Sequence, residues 1–452
     1  MLAGVKVRWR QLTRRLRGGS FSTQVAVLVG GTAFAQALSI VAMPVLTRLY
    51  DPGDYGVFAV YTSLLAVLAA INSARYELAI PLPKDEKDAA NLLALVLALV
   101  VALSAVLGGA AWALRDHIAA WTQTPALARY MWLLPVGLVL VGTYQGLTYW
   151  AVRKQAFGRI ARTRVNQGIA SVVVQLVMGL LHIRPLGLLV GSVVAQSSGS
   201  GTLLALAWRQ DREALQAISW RGMRQVAWRY RRFPLFSGTV LLNIAGLRLP
   251  SLLIASAFGA DIVGGFALVM RVLGWPMQFV GRAIAQVYTG EAARLAREDP
   301  AGLYALLMKT TRRLAVMGLS VLAIGLLAPL LFAFVFGDKW REAGVYCQIL
   351  SPMFFAQFVV SPISGLANIM ERQDLQLYGD AARAVIVVAV FLGAARAHWG
   401  AVPALALYSG VMTLTYIAFF VMYAAIARAA ARGTVAAEGP AAGAQTPPSC
   451  EL

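Results

Sequence analysis

Long apolar stretches alternate with short clusters of charged residues along almost the whole chain. A bilayer core about 30 Å thick is crossed by a helix of about 20 apolar residues. The pattern therefore predicts an all-α polytopic membrane protein with about twelve transmembrane helices. The predicted spans cover residues 24–47, 55–80, 90–112, 130–149, 165–183, 186–208, 234–257, 261–281, 313–336, 343–366, 379–397 and 400–427.

The composition agrees with this pattern. Of the 452 residues, 59% are hydrophobic and only 13% are charged, whereas a soluble globular protein is nearer half apolar and a quarter charged. The net charge of +20 alone would suit a nucleic-acid-binding protein, but such proteins carry their basic residues on a hydrophilic surface. Here the basic residues lie between apolar stretches, so no nucleic-acid partner is predicted.

Lysine and arginine are distributed unequally between the two sides of the predicted membrane. With the N-terminus inside, 30 of the 40 basic residues fall on the cytoplasmic side and seven on the outer side. This bias fits the positive-inside rule for an even number of spans. We therefore expect a multi-pass protein of the bacterial cytoplasmic (inner) membrane, with both termini in the cytoplasm.

The longest cytoplasmic segment divides the chain into two halves. It is a basic linker at 209–233, between an N-lobe at 21–208 and a C-lobe at 234–430. A basic segment at 1–20 precedes the lobes, and a tail at 431–452 that is rich in Ala, Gly and Pro follows them and is expected to be disordered.

The halves share a short sequence similarity. Pro44 is followed twelve residues later by Gly56-Val-Phe-Ala, and Pro250 is followed fourteen residues later by Gly264-Gly-Phe-Ala. Because six spans return the chain to its starting side, such repeats would be parallel. We expect two six-helix bundles around a central cavity.

Arginine inside a span marks a functional site by default. Arg271 lies ten residues into the eighth predicted span, about 15 Å deep, and Arg248 lies fourteen residues into the seventh. Neither has an acidic residue three or four positions away. We expect both to face a hydrated cavity or an anion, with buried structural pairs as the alternative.

The second predicted span carries Asn72, Arg75 and Glu77. In one continuous helix Asn72 and Arg75 would share a face, and Glu77 would point too far round to pair with Arg75. Arg75 would then either serve the cavity or reach the inner interface. Gln36 and Asn243 are further candidates to line the cavity, although such amides also bridge helices.

Motifs for catalysis, metals and cofactors are absent from the sequence. It has no P-loop, no dinucleotide-binding glycine motif, no HExxH and no GxSxG. Its two cysteines, Cys347 and Cys450, fit no metal-ligand spacing. We predict a protein that is not an enzyme and that uses neither a metal nor a cofactor.

Several motifs together resemble the bacterial oligosaccharide flippases of the Wzx type, in the multidrug/oligosaccharidyl-lipid/polysaccharide exporter superfamily. The segments that carry the resemblance are Pro44-Val-Leu-Thr-Arg-Leu-Tyr-Asp-Pro-Gly-Asp-Tyr-Gly56, Arg75-Tyr-Glu-Leu-Ala-Ile80, Arg231-Arg-Phe-Pro234, Leu249-Pro250, Phe258-Gly-Ala-Asp-Ile-Val-Gly264 and Phe336-Gly-Asp-Lys-Trp340. They keep the family's order over most of residues 20–420.

This resemblance implies a two-lobed, MATE-like bundle that moves undecaprenyl-diphosphate-linked oligosaccharide to the outer leaflet for lipopolysaccharide or exopolysaccharide biosynthesis. Arg75 and Glu77 match the family's Arg-x-Glu pattern, and Arg271 matches a basic position often seen there. Arg248 stands where many relatives have an uncharged polar residue, so its role is either specific to this substrate or structural. A polysaccharide polymerase and a chain-length regulator are candidate protein partners, beside the membrane lipid.

Three other readings stay open. A drug or cation antiporter of the same superfamily would carry acidic residues where this chain has arginines. A lipid II flippase usually carries two further spans that this pattern does not show. A membrane enzyme acting on polyprenyl-linked sugars would need clustered acidic residues facing the outer side.

Overall fold

The structure is a computed structural model that describes residues 21–235 and 237–432. The predictions for residues 1–20 and for the tail after residue 432 lie outside the described residues. Within those ranges the chain is helical and contains no β-strand.

Each predicted span up to residue 208 contains at least one helix. The helices are Phe21–Val41, Met43–Leu49, Pro52–Ala69, Glu86–Ala113, Arg115–Trp121, Pro125–Ala128, Leu133–Arg153, Phe157–Leu180, Leu186–Ser197 and Ser200–Gln210. Three shorter helices form the basic linker and its continuation: Arg212–Gln216, Trp220–Arg229 and Arg232–Leu235.

The remaining predicted spans are helical as well. Their helices are Ser237–Phe258, Ala260–Val269, Trp275–Glu298, Gly302–Phe336, Arg341–Val360, Gly365–Ile369, Gln373–Arg396 and Ala401–Ala431. A π-helical turn at Met270–Gly274 joins two of them. Short 3₁₀ turns cover Tyr76–Ala79, Asp338–Trp340 and Ser361–Ile363.

Among the described residues, eight helices are long and apolar enough to cross a membrane. The number is nine if Val29–Val41 and Met43–Leu49, which meet at 43°, form one broken span. The all-helical architecture with many spans agrees with the sequence pattern, while the total of twelve stays a prediction.

The described chain forms two compact units. The first comprises the residues up to Val272 together with Ala328–Cys347 and Val387–Ala404. The second comprises Leu273–Leu327, Gln348–Ile386 and the described residues from Leu405 onward. The predicted division into lobes at 21–208 and 234–430 stays a prediction.

Small residues allow close helix packing in the first unit. A side chain at Gly168 would overlap Ala35, and one at Gly108 would overlap Pro135, so neighbouring helices approach through their backbones. Ser171 connects two helices of this unit by hydrogen bonding. Its hydroxyl donates to the carbonyl of Gly191 on the Leu186–Ser197 helix at 2.8 Å and accepts from the side chain of Gln175 at 3.1 Å.

Small residues play the same part in the second unit. A side chain at Gly325 would overlap Ser351, and one at Gly379 would overlap the ring of Phe419. The long helices of this unit are therefore also in close contact at glycine positions.

The predicted second span is wrong beyond Ala69. Pro52 occupies the first turn of its helix, and Asp51 and Asp54 cap that end reciprocally. The helix ends at Ala69, and the chain continues in turns. Within these turns Ala74 and Arg75 adopt positive φ values of 49° and 61° that a right-handed α-helix does not accommodate.

Ion pairs connect the segments predicted to lie in the cytoplasm. The ammonium of Lys154 lies 2.8 Å from carboxylate oxygens of both Glu86 and Asp211. Partial burial lowers the pKa of Lys154, but hydrogen bonds to these two carboxylates outweigh it and leave the pKa above its usual value. Trp150 also donates to Asp211, at 3.0 Å. These contacts fix the basic linker against the helix ends.

Candidate substrate-binding site

The two sequence repeats pack against each other. A Cβ on Gly56 would overlap the carbonyl of Ala260, and a Cβ on Gly264 would overlap the carbonyl of Pro52. Each glycine thus contacts the residue four positions before the other glycine. The Pro52–Ala69 and Ala260–Val269 helices therefore cross through their backbones with approximate two-fold symmetry.

Arg271 lies two helical turns beyond this crossing. It belongs to the π-helical turn Met270–Gly274, a local widening that is frequent at functional sites. Its guanidinium carbon stands 4.7 Å from the ring centre of Phe58, a cation–π distance. The hydroxyl of Tyr55 interacts electrostatically with the same guanidinium. Two aromatic residues of the Pro52–Ala69 helix thus contact an arginine in the π-helical turn that follows the Ala260–Val269 helix.

Tyr55 connects this arginine to a third motif. Its ring meets the indole of Trp340 edge to face at 5.0 Å. The buried Trp340 indole donates to the carbonyl of Thr47 at 2.9 Å, and Lys339 pairs with Asp51 at 2.6 Å. The segments around Pro44–Gly56, Phe258–Gly264 and Phe336–Trp340, quoted above for the family resemblance, therefore meet in one cluster.

Arg75 and Glu77 form a separate ion pair. One guanidinium nitrogen of Arg75 lies 3.4 Å from Glu77, whose side chain is only 3% exposed. The hydroxyl of Ser73 donates to the same carboxylate at 2.6 Å. The expectation that Glu77 could not pair with Arg75 was wrong, because the chain here forms a turn with Arg75 at positive φ instead of a continuous helix.

The two arginines do not share one binding site. Phe58, whose ring contacts Arg271, lies eleven residues before the end of its helix at Ala69. This separation is about 17 Å along the helix axis. Arg75 lies beyond that end. A ligand group as small as a diphosphate cannot bind to both arginines at once.

The other predicted site residues lie elsewhere. Asn72 is fully buried, and its amide donates to the carbonyl of Leu138 at 2.8 Å, which favours helix bridging. Gln36 and Arg248 are exposed on their helices. Asn243 lies in the Ser237–Phe258 helix, but its side chain is outside the described residues.

Sequence reasoning missed the aromatic partners of Arg271. Tyr55 and Phe58 stand three residues apart and flank Gly56, so they share the helix face that the crossing requires. That spacing beside a repeated glycine is the signal that could have identified them.

The sequence is similar to known polysaccharide biosynthesis proteins. The family model described as "Polysaccharide biosynthesis protein" matches residues 45–345, a range that includes all three motif segments except the first residue of one. The amylovoran biosynthesis protein AmsL of Erwinia amylovora is 23% identical over 158 residues, which cover 34% of this chain. The matched part spans 39% of the length of that relative.

Solved structures show the same fold. An inward-facing multidrug resistance MATE family transporter of the MOP superfamily superimposes with a TM-score of 0.57 at 15% identity. The superposition covers 92% of this chain and 96% of the transporter. The predicted MATE-like, all-α, multi-pass fold is therefore confirmed.

Proposed function

Because the chain belongs to the polysaccharide biosynthesis protein family and has a MATE-like transporter fold, we propose that it flips undecaprenyl-diphosphate-linked oligosaccharide. The movement is from the inner to the outer leaflet of the cytoplasmic membrane, by alternating access. Both termini lie in the cytoplasm, as the basic-residue bias predicts. Its product serves surface polysaccharide biosynthesis.

One observation carries this proposal: the guanidinium of Arg271, within a predicted span, lies against aromatic rings. A drug antiporter that binds cations would need an acidic side chain at such a site. Arg271 is held over Phe58 at 4.7 Å and interacts with Tyr55. An arginine offers several N–H donors in a planar fork, which suits the oxygens of a diphosphate. Arg271 is accordingly proposed as the principal diphosphate-binding residue.

The remaining site residues take lesser parts in this proposal. Arg75 with Glu77 forms a second polar position near the end of the same helix, where it would meet the diphosphate before or after Arg271. Arg248 and Gln36 are exposed on their helices and would contact sugar hydroxyls. Asn72 has a structural part, because its amide donates a hydrogen bond to the carbonyl of Leu138 in the Leu133–Arg153 helix.

The protein acts as a transporter without chemical conversion of its cargo in this proposal. The lipid-linked oligosaccharide leaves with its phosphoanhydride and glycosidic bonds intact. A polysaccharide polymerase and a chain-length regulator would then use the flipped units on the outer side.

Deletion and complementation in the bacterial host test the proposal. Loss of the gene should abolish the surface polysaccharide while lipid-linked repeat units accumulate on the inner leaflet, and the wild-type gene should restore both. Normal polysaccharide together with new sensitivity to cationic dyes would instead favour the drug antiporter. Normal polysaccharide without such sensitivity would reject both transport roles.

A further inference from the structure

A groove lies between two helices of the second unit. It has a volume of about 470 Å³ and runs between the first turns of Gly302–Phe336 and the last turns of Ala401–Ala431. Because one helix begins where the other ends, this groove opens at one membrane interface. Arg271, Arg75 and the residues of the motif cluster do not line it.

The rim of the groove is basic. Arg428 and Arg432 stand one helical turn apart and are both exposed. The hydroxyl of Tyr304 accepts a hydrogen bond from Arg428 at 2.7 Å, and the guanidinium carbon lies 4.7 Å from the centre of the same ring. Tyr304 thus fixes the orientation of Arg428 and leaves its other N–H groups available.

The floor of the groove is apolar. Phe420 and Val421 lie two to three turns nearer the middle of the helix, about 11–18 Å from the two arginines along its axis. Met308 provides the facing wall, and alanines between the arginines and Phe420 leave the space open. None of the described residues that line the groove is acidic.

We propose that this groove binds a lipid with a phosphate headgroup. Two arginines at a membrane interface match the phosphate in charge and geometry, and the apolar floor matches a hydrocarbon chain. Two sources share that chemistry: an anionic phospholipid of the surrounding leaflet, and a polyprenyl phosphate of the kind that carries the proposed cargo. The proposal does not depend on the flippase function, because leaflet phospholipid alone would occupy the groove.

The test is native mass spectrometry of the full chain with phosphatidylglycerol, phosphatidylcholine or undecaprenyl phosphate added separately. The wild type should retain phosphatidylglycerol or undecaprenyl phosphate in preference to phosphatidylcholine. Arg428→Ala/Arg432→Ala should weaken that binding by about 30-fold, since each basic group near an anionic lipid surface is worth about fivefold.

Two further variants separate the groove from general surface charge. Arg312→Ala/Arg313→Ala removes two exposed arginines from the Gly302–Phe336 helix and should leave binding within about twofold of wild type. Ala425→Trp fills the groove while keeping both arginines, and Ala425 is exposed, so the protein should still fold. This variant should lose the lipid as well.

Competition identifies the source. Displacement of phosphatidylglycerol by equimolar undecaprenyl phosphate assigns the groove to the polyprenyl carrier, and the reverse result assigns it to leaflet phospholipid. The proposal is overturned if the wild type retains neither lipid, if Ala425→Trp binds like wild type, or if Arg312→Ala/Arg313→Ala loses binding equally. Each variant is first checked for a monodisperse peak and an unchanged thermal midpoint.

Discussion

Gly56 and Gly264 occupy equivalent places in one helix crossing, since each lies against the carbonyl of the residue four positions before the other glycine. No side chain separates the two backbones there. The crossing is made by the same short sequences that the two halves of the chain have in common.

The first prediction concerns this crossing. Gly264→Ala places a Cβ into the carbonyl of Pro52, and backbone cannot move aside as a flexible side chain does. We expect a loss of about 1–3 kcal/mol of stability, seen as a lower thermal midpoint of the purified protein. Gly109→Ala, whose Cβ would meet open space, is the control and should not lower the midpoint. Equal midpoints for the two variants would contradict the described packing.

A second prediction concerns Arg271. Arg271→Ala should reduce transport by about 10- to 150-fold, the equivalent of one charged hydrogen bond worth about 1.5–3 kcal/mol. Arg271→Lys should restore transport only partly, because an ammonium lacks the planar fork. Surface glycan and protein abundance are measured in the same cells.

The abundance measurement separates binding from folding. If Arg271 binds the diphosphate, Arg271→Ala accumulates normally, and Phe58→Leu, which removes the cation–π contact, reduces transport by about 2- to 30-fold. Arg313→Ala, an exposed arginine of the second unit, is the matched control. Full transport by Arg271→Ala at normal abundance would refute the assignment.

The third prediction concerns the buried carboxylate of Glu77. Glu77→Gln keeps the shape but removes the charge that Ser73 and Arg75 bind, so it should cost about 1.5–3 kcal/mol. Arg75→Ala should cost less, because the arginine is 24% exposed and its pairing is screened by solvent. Thermal unfolding measures both. Glu298→Gln is the control, because Glu298 forms an exposed pair with Arg294, and it should leave the thermal midpoint unchanged. A larger loss of stability in Arg75→Ala than in Glu77→Gln would contradict this prediction.

The fourth prediction contrasts two neighbours. Trp340→Phe loses the buried hydrogen bond to Thr47 and part of the ring contact with Tyr55, so it should destabilise the protein by about 1–3 kcal/mol. Lys339→Ala breaks a pair in which both side chains are at least one-third exposed, and should change stability by less than about 1 kcal/mol. The two thermal midpoints should therefore separate clearly, and a larger effect of Lys339→Ala would be inconsistent with the burial of Trp340.

The fifth prediction concerns topology. Reporter fusions at Gly18 and Gly433 should both read cytoplasmic, because twelve spans return the chain to its starting side. Opposite readings at the two positions would mean an odd number of spans and would remove the argument for two parallel halves.

The sequence was sufficient for the helices, because long apolar stretches have few alternatives in a membrane. The break after Ala69 was not predictable in this way. The turns that follow it contain two residues at positive φ, Ala74 and Arg75, and neither is a glycine that would signal such a conformation. Hydropathy carries no information on backbone dihedral angles, so hydropathy alone predicts one continuous span over 55–80.

The candidate site was predictable in part. The position of Arg271 within its span was sufficient to select it, since a charge at that depth requires a partner. Its contacts with Tyr55 and Phe58 depend on which two helices cross, and hydropathy carries no information on helix neighbours. The repeated glycines indicated an internal symmetry, but only the structure shows that the two copies touch.

The glycine crossing also fixes the register of its two helices. Gly56 lies against Ala260 and Gly264 lies against Pro52, so a slide of one helix along the other would bring a side chain between the backbones at both places. Arg271 lies seven residues beyond Gly264, about 10 Å along the axis. The alignment of its guanidinium with the ring of Phe58 is therefore set by two glycines that contact neither group.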